Sequence, residues 1–216
     1  MMKTTSRIII ADDHAVVRTG LQLILDETGD MEIVDEAKDG DELLTMLERK
    51  SYDLLILDVS MPGRDTIEIL KEIRERWESL PVVIFSMNPD EIYAIRMIRN
   101  GAWAYINKET KPWKIIEVLR TVIGGKKYFF PHQADMLAEM ALNPGKADVL
   151  PHNLLTDREA QIFSMLASGM RKSEIAEKMN ISIHTLSNHR NNIIKKMNVS
   201  TNSELTRYAI RHGIIQ

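Results

Sequence analysis

The sequence predicts a doubly wound α/β domain on a five-stranded parallel sheet, followed by a second, small all-α domain. Three observations lead there. Over the first 125 residues, short β-branched runs alternate with longer amphipathic stretches. From Leu154 onward the apolar residues recur at helical spacing throughout. The charge also splits: residues 1–150 carry a net −7 and residues 151–216 a net +4, within a 216-residue chain of −3. An acidic first part and a basic second part suit separate partners, the second a polyanion. Composition alone fits equally well with two ordinary soluble surfaces.

The segments RIIIA (7–11), MEIVDEA (31–37), DLLILD (53–58), PVVIF (81–85) and AWAYI (102–106) read as strands. Between them VVRTGLQLILDET, GDELLTMLER, TIEILKEIRERW and DEIYAIRMIRN repeat apolar residues at helical spacing. A fifth helix runs from Pro112 to Ile123, with proline suited to its first turn. Strands apolar on both faces and joined by helices imply a parallel sheet covered on both sides. Gly124-Gly125 closes this domain, 1–125. Residues 126–150 hold Pro131, Pro144 and Gly145 around the short amphipathic piece ADMLAEMA, and read as a partly helical linker whose Tyr128, Phe129 and Phe130 pack back on a domain.

Residues 151–216 form the second domain. Thr156 and Glu159 make a capping box before AQIFSMLASG, which Gly169 terminates. SEIAEKM follows, then the turn NISI, then HTLSNHRNNIIKKM capped by Ser182. Thr201 and Glu204 form a second capping box that opens LTRYAIRHG.

Cysteine is absent, which excludes disulfides, a thiol nucleophile and thiolate metal sites. No window approaches 18 apolar residues, so no membrane helix is expected. The polar start runs straight into a strand without a secretory h-region, and the expected compartment is the cytosol.

Carboxylates gather at the carboxyl ends of the predicted strands: Asp12 and Asp13 after the first, Asp58 at the end of the third. In an open parallel sheet ligands bind at that edge. Converging oxygens there suit a hard cation such as Mg²⁺, although aspartates after a strand also serve as plain helix caps. Ser86 at the end of strand four and Lys108 after strand five tilt the balance. A metal, a hydroxyl and an ammonium around one carboxylate are what a phosphoryl group on Asp58 needs.

With Asp12-Asp13, Asp58 followed by Met61-Pro62-Gly63, Ser86, and Lys108 at the end of Gly101–Lys108, the chain resembles a response-regulator receiver domain. The resemblance implies that Asp58 attacks the phosphohistidine of a sensor histidine kinase. It implies Mg²⁺ ligands from Asp12 or Asp13 or both, from Asp58, and from the backbone carbonyl of Ser60. Ser86 and Lys108 would contact the phosphoryl group, and Tyr105 holds the family's aromatic switch position, which turns inward on activation. Thr66 stands near where the family usually has glycine, and reads as the start of the next helix.

In the third helix of the basic domain, Leu186, His189, Ile193 and Met197 fall on one face and are expected in the core. Ser187, Asn188, Asn191 and Lys195 lie opposite, flanked by Arg190 and Lys196. Amides and bases on an exposed helix suit the major groove, although a solvated face on a small bundle would look the same. SEIAEKM, the turn and this helix make a helix-turn-helix. The region resembles the LuxR-type helix-turn-helix of the NarL/FixJ class through Leu155-Thr156-Asp157-Arg158-Glu159, Gly169, Glu174-Ile175-Ala176, Ile181-Ser182, Thr185, His189, Asn192-Ile193, Lys196-Met197 and Val199. The resemblance puts Thr185 and Lys196 on the DNA backbone and makes Ser203–Arg211 a dimer contact. Ser187 replaces the usual lysine, and Arg171 stands where a small cap is common.

Together the resemblances imply a two-component response regulator: a homodimer, on phosphorylation or on DNA, that controls promoters and is not an enzyme. Two other classes fit the residues less well. A Mg²⁺-dependent phosphotransferase needs a general acid or base beside its nucleophile, and Ser60, two past Asp58, is a poor one. A constitutive DNA-binding protein would not need Asp12, Asp13, Asp58, Ser86 and Lys108 together.

Overall fold

The computed structural model describes residues 5–59, 61, 64–87, 91–142, 151–179, 181–212 and 214–215. Ser60, expected as a metal ligand, lies outside the described residues. Two compact units divide between residues 135 and 136.

The first unit is built from β1 (Ser6–Ala11), α1 (Ala15–Asp26), β2 (Met31–Ala37), α2 (Gly40–Arg49), β3 (Leu54–Leu57), α3 (Thr66–Arg76), β4 (Val82–Ser86), α4 (Glu91–Arg99), β5 (Ala104–Asn107) and α5 (Pro112–Ile123). The sheet is parallel throughout, in the order β2-β1-β3-β4-β5. The chain steps to one side of β1 to make β2 and to the other to make β3, so the crevice lies at the carboxyl ends of β1 and β3. β3 and β4 are wholly buried, and β1 is from Ile8 onward, as strands apolar on both faces must be. β2, at the edge, buries Met31, Ile33 and Ala37 and exposes Glu32 and Glu36. Asp39 and Asp65 cap α2 and α3, accepting from Glu42 N and Ile67 N at 2.9 Å each.

The core of this unit joins Ile8, Ile10, Leu54, Ile56, Val83 and Phe85 of the sheet to Leu21 and Leu25 of α1 and Ile115, Val118, Leu119 and Val122 of α5. Tyr128 and Phe130 pack against it. Here the expected division at Gly125 meets a difference. The segment after Gly125 is tied to the sheet, with Tyr128 N donating to Trp103 O at 2.9 Å, and the compact unit runs to residue 135. Packed on this core, the two rings are taken partly out of water, which favours the docked segment over a free linker. Helix α6 (Pro131–Leu142) begins in the first unit and continues past the division.

The second unit opens with a 3₁₀ turn, Pro151–Leu154, and contains α7 (Asp157–Ala167), α8 (Lys172–Lys178), α9 (Ile183–Met197) and α10 (Asn202–Arg211). Both capping boxes form. Glu159 N donates to Thr156 Oγ1 at 3.3 Å and Thr156 N to Glu159 Oε2 at 2.8 Å; Glu204 and Thr201 repeat the exchange at 3.2 and 3.3 Å. Gly169 ends α7 with φ +80°, and Asn198 ends α9 in the left-handed region that asparagine tolerates, φ 51°. Arg171 offers α8 no cap of its own. Glu174 reaches back to its backbone N–H at 3.0 Å and pairs with its guanidinium, and the helix start holds. Leu155, Ile162, Phe163, Leu166, Ile175, Leu186, Ile193, Met197 and Leu205 fill the core. No helix among the described residues is long and apolar enough to cross a membrane.

Candidate phosphoacceptor site and nucleic-acid interface

Three backbone hydrogen bonds carry the sheet pairing one step beyond its strands. Asp58 N donates to Ala11 O at 2.8 Å, Asp12 N to Ala37 O at 3.1 Å, and Lys108 N to Ser86 O at 2.8 Å. Residues 12, 58, 86 and 108 therefore meet at one edge because their strands end there in register. Asp12 and Asp58 are each 1% exposed and Ser86 is fully buried. The Lys108 ammonium lies 2.7 Å from Asp12 Oδ2 and 3.2 Å from Asp58 Oδ1. Burying two carboxylates is costly unless cations meet them.

Asp13 stands at the rim, and the sequence reading missed its neighbour. His14 Nδ1 lies 2.8 Å from Asp13 Oδ1 and 3.3 Å from Asp12 Oδ1, and one ligand atom from each of Asp12, Asp13, His14 and Asp58 falls within 4.8 Å of the others. A histidine directly after an acidic pair was the available signal. The donor set fits a hard divalent cation: oxygens dominate, and the three carboxylates of Asp12, Asp13 and Asp58 converge there.

Two supports fix the loops. Arg18 of α1, itself buried, donates to the backbone oxygen of Asp12 at 2.7 Å and pairs with Glu36. Thr66, where a glycine is usual, is the first residue of α3 and donates its hydroxyl to Val59 O at 3.1 Å. It holds the chain leaving Asp58 by a side-chain bond. Tyr105 on β5 is 3% exposed, its ring turned into the protein.

In the second unit, α9 buries Leu186, Ile193 and Met197 and exposes Thr185, Asn188, Asn191 and Lys195. Ser182 Oγ accepts from Thr185 N at 3.0 Å, which sets the first turn. His189, expected in the core, is half-buried beside it, and burial, with the nearby Arg158, lowers its pKa. Ser187 is also half-buried, with its hydroxyl turned back on Ile183 O at 2.9 Å. Two expected flanking cations are engaged inside the fold. Arg190 Nε donates to Asn202 Oδ1 at 2.9 Å, and Lys196 Nζ to Glu159 Oε2 at 2.6 Å. His184 is exposed and sits four residues before Asn188 and seven before Asn191, on the same helix face. Its spacing could have placed it with the asparagines, but its position at the start of the helix hid it.

The comparisons agree with both halves. Residues 8–120 match the response regulator receiver domain, and residues 153–209 match the luxR family of bacterial regulatory proteins. The oxygen regulatory protein NreC of Staphylococcus carnosus (strain TM300) is 36% identical over 214 residues, covering 97% of this chain and 99% of that protein. NreC of Staphylococcus epidermidis (strain ATCC 12228) is 34% identical over 216 residues, covering the same shares. Among solved structures, RcsB from Salmonella enterica serovar Typhimurium, bound to promoter P1flhDC in the presence of the phosphomimetic BeF3⁻, aligns with a TM-score of 0.61 at 25% identity over 95% of this chain and 98% of its own. An acidic, lysine-braced strand edge in one unit and a capped helix-turn-helix in the other thus match along their full lengths, and the chain belongs to the response regulators that join a receiver domain to a LuxR-family regulatory domain.

Proposed function

We propose that this regulator takes a phosphoryl group on Asp58 from a sensor histidine kinase and, so modified, controls transcription from promoter DNA. The observation that carries the reading is Lys108, held between Asp12 and Asp58 at the strand edge. A carboxylate oxygen of Asp58 attacks phosphorus, a P–O bond forms, and the P–N bond to the kinase histidine breaks. Lys108 and Ser86 meet the phosphoryl oxygens, where negative charge gathers. Asp12, Asp13 and Asp58, with the Ser60 carbonyl, would hold Mg²⁺, which neutralises the incoming phosphoryl group when bound. Ser86 ends β4 and Tyr105 lies on the adjoining β5, so new charge at the edge biases a two-state surface that includes the Tyr105 ring.

In the second unit Asn188, Asn191 and Lys195 form the exposed face of α9, with Thr185 at its start and Ser187 at its flank. These residues read or position DNA in the major groove. Support comes from RcsB, which has been solved on promoter DNA with a phosphomimetic. Residues 1–135 serve as receiver and 151–216 as a separable DNA module, and a homodimer brings two recognition helices to half-sites about one helical turn apart or a multiple of it. The protein acts on DNA in the cytosol and turns over no outside substrate, since Ser60 supplies no general acid or base beside Asp58.

The test is intact-mass measurement after incubation with Mg²⁺ and a small phosphodonor. One phosphoryl adduct is expected on the native chain and none on Asp58→Ala. An adduct of equal yield on Asp58→Ala would remove the assignment.

A further inference from the structure

β5 is the outer strand of the sheet and pairs only with β4 among the described strands. Its free side is met by the chain that follows α5. Tyr128 N donates to Trp103 O, just before the strand, at 2.9 Å, and Gln133 Nε2 donates to Tyr105 O within it at 3.3 Å. Gln133 is 3% exposed, a rare burial for an amide side chain, and both ends of the amide are used. Its Oε1 accepts from Phe130 N at 3.0 Å, the residue just before α6. One side chain therefore bridges the backbone of the aromatic position on β5 to the entry of α6.

β5 leads directly into Lys108, whose ammonium touches Asp12 and Asp58. A phosphoryl group on Asp58 draws on that ammonium, and the strain reaches the strand that carries it. At the other end, α6 is one continuous helix from Pro131 to Leu142, about 18 Å at 1.5 Å per residue. It crosses the division between the compact units. A change in the first turn is therefore delivered to residues beyond the receiver.

We propose that Gln133 is a positioning residue that couples β5 to helix α6, so that phosphorylation of Asp58 tightens the first turn of α6. The inference rests on the phosphoacceptor reading of Asp58 given above. In the structure Tyr105 is turned inward and its carbonyl carries the Gln133 bond, so the inward state and the bond occur together. Tyr105 lies on β5 and Lys108 directly follows that strand, three residues on, so a pull on the Lys108 ammonium at Asp58 acts on the carbonyl that holds the bond.

Hydrogen–deuterium exchange of the full chain, with and without phosphoramidate and Mg²⁺, reads the coupling at peptides covering residues 131–142. In the native chain phosphorylation slows their exchange by about fivefold or more. Gln133→Leu removes both bonds in an apolar site of similar size. Gln133→Glu keeps an acceptor for Phe130 N but sets a carboxylate oxygen against the Tyr105 carbonyl. Both variants take up phosphoryl at Asp58 within about twofold of the native yield by intact mass, and the slowing nearly disappears. Undiminished slowing in both variants overturns the proposal. So does a native chain that is phosphorylated without slowing, or loss of phosphorylation in both variants, which would make Gln133 a residue of the receiver's folding. A native chain that takes no phosphoryl at Asp58 instead overturns the reading of the acidic site, and the coupling falls with it.

Discussion

Lys196 Nζ lies 2.6 Å from Glu159 Oε2, and Glu159 is 3% exposed. The same carboxylate accepts from Thr156 N, so Lys196 on α9 is braced against the capping box of α7. The pair ties α9 to the start of α7, with Glu159 buried and the Lys196 side chain partly exposed.

Lys196→Ala is expected to destabilise the second unit by about 1–3 kcal/mol, because a buried carboxylate loses its cation. Lys195→Ala, on the exposed side, should leave stability nearly unchanged and lower the slope of log K against log salt by about 1 if it neutralises one phosphate. Denaturant unfolding and DNA titration at several salt concentrations separate the two. A full unit lost from the slope in Lys196→Ala at native stability would return that lysine to the DNA backbone.

Asp13→Ala should weaken Mg²⁺ binding by on the order of tenfold or more, since the site loses an oxygen ligand and a charge. His14→Ala should change it far less, because imidazole is a poor ligand for a hard cation. Calorimetric titration of Mg²⁺ into each variant checks this. A chelator should also abolish phosphorylation by the small donor.

Asn188→Ala and Asn191→Ala are each expected to cost about 1–3 kcal/mol on a cognate duplex and little on a scrambled one if they pair bidentately with adenine. His184→Ala belongs in the same series, since it shares their face. Binding isotherms on both duplexes decide, and equal losses on the two would move this face to backbone positioning.

A receiver fragment ending at residue 135 should be more stable than one ending at 125, by on the order of 2–3 kcal/mol for two partly buried aromatic rings. The longer piece keeps Tyr128 and Phe130 on the core, the Lys114 ammonium 4.9 Å above the Tyr128 ring, and Gln133 on Tyr105. Urea midpoints of the two fragments measure the difference.

His152 Nδ1 lies 2.6 Å from the Tyr208 hydroxyl, and burial, with the nearby His212, lowers the His152 pKa from 6.5 to about 4. Between those values the unfolded chain binds a proton that the native one refuses. Stability is therefore full above about pH 7, falls as the pH drops through 6.5, and loses no more from this group below about 4. The loss amounts to at most about 3 kcal/mol. His152→Phe should flatten this part of the profile. An imidazole that titrates near 6.5 by NMR in the folded chain would contradict it.

Much of this architecture was legible in the chain itself. Strands apolar on both faces point to a parallel sheet covered on both sides, and the threonine–glutamate boxes at 156–159 and 201–204 satisfy local backbone groups wherever they occur. Asp12, Asp13, Asp58, Ser86 and Lys108 were identifiable because each follows or ends a strand, and strand ends of a parallel sheet share one edge. What the sequence could not supply was pairing across distance. The 3.2 Å approach of Lys108 to Asp58 depends on the sheet order and register of β1, β3, β4 and β5. The helical period put Lys196 beside the polar face, and only the packing of α9 on α7 turned it to Glu159. Composition marked 126–150 as a linker; the bonds of Tyr128 and Gln133 to β5 ended the first unit at 135. Local patterns are set by neighbours along the chain, whereas a side chain's partner is chosen by surfaces that meet only once the core has formed.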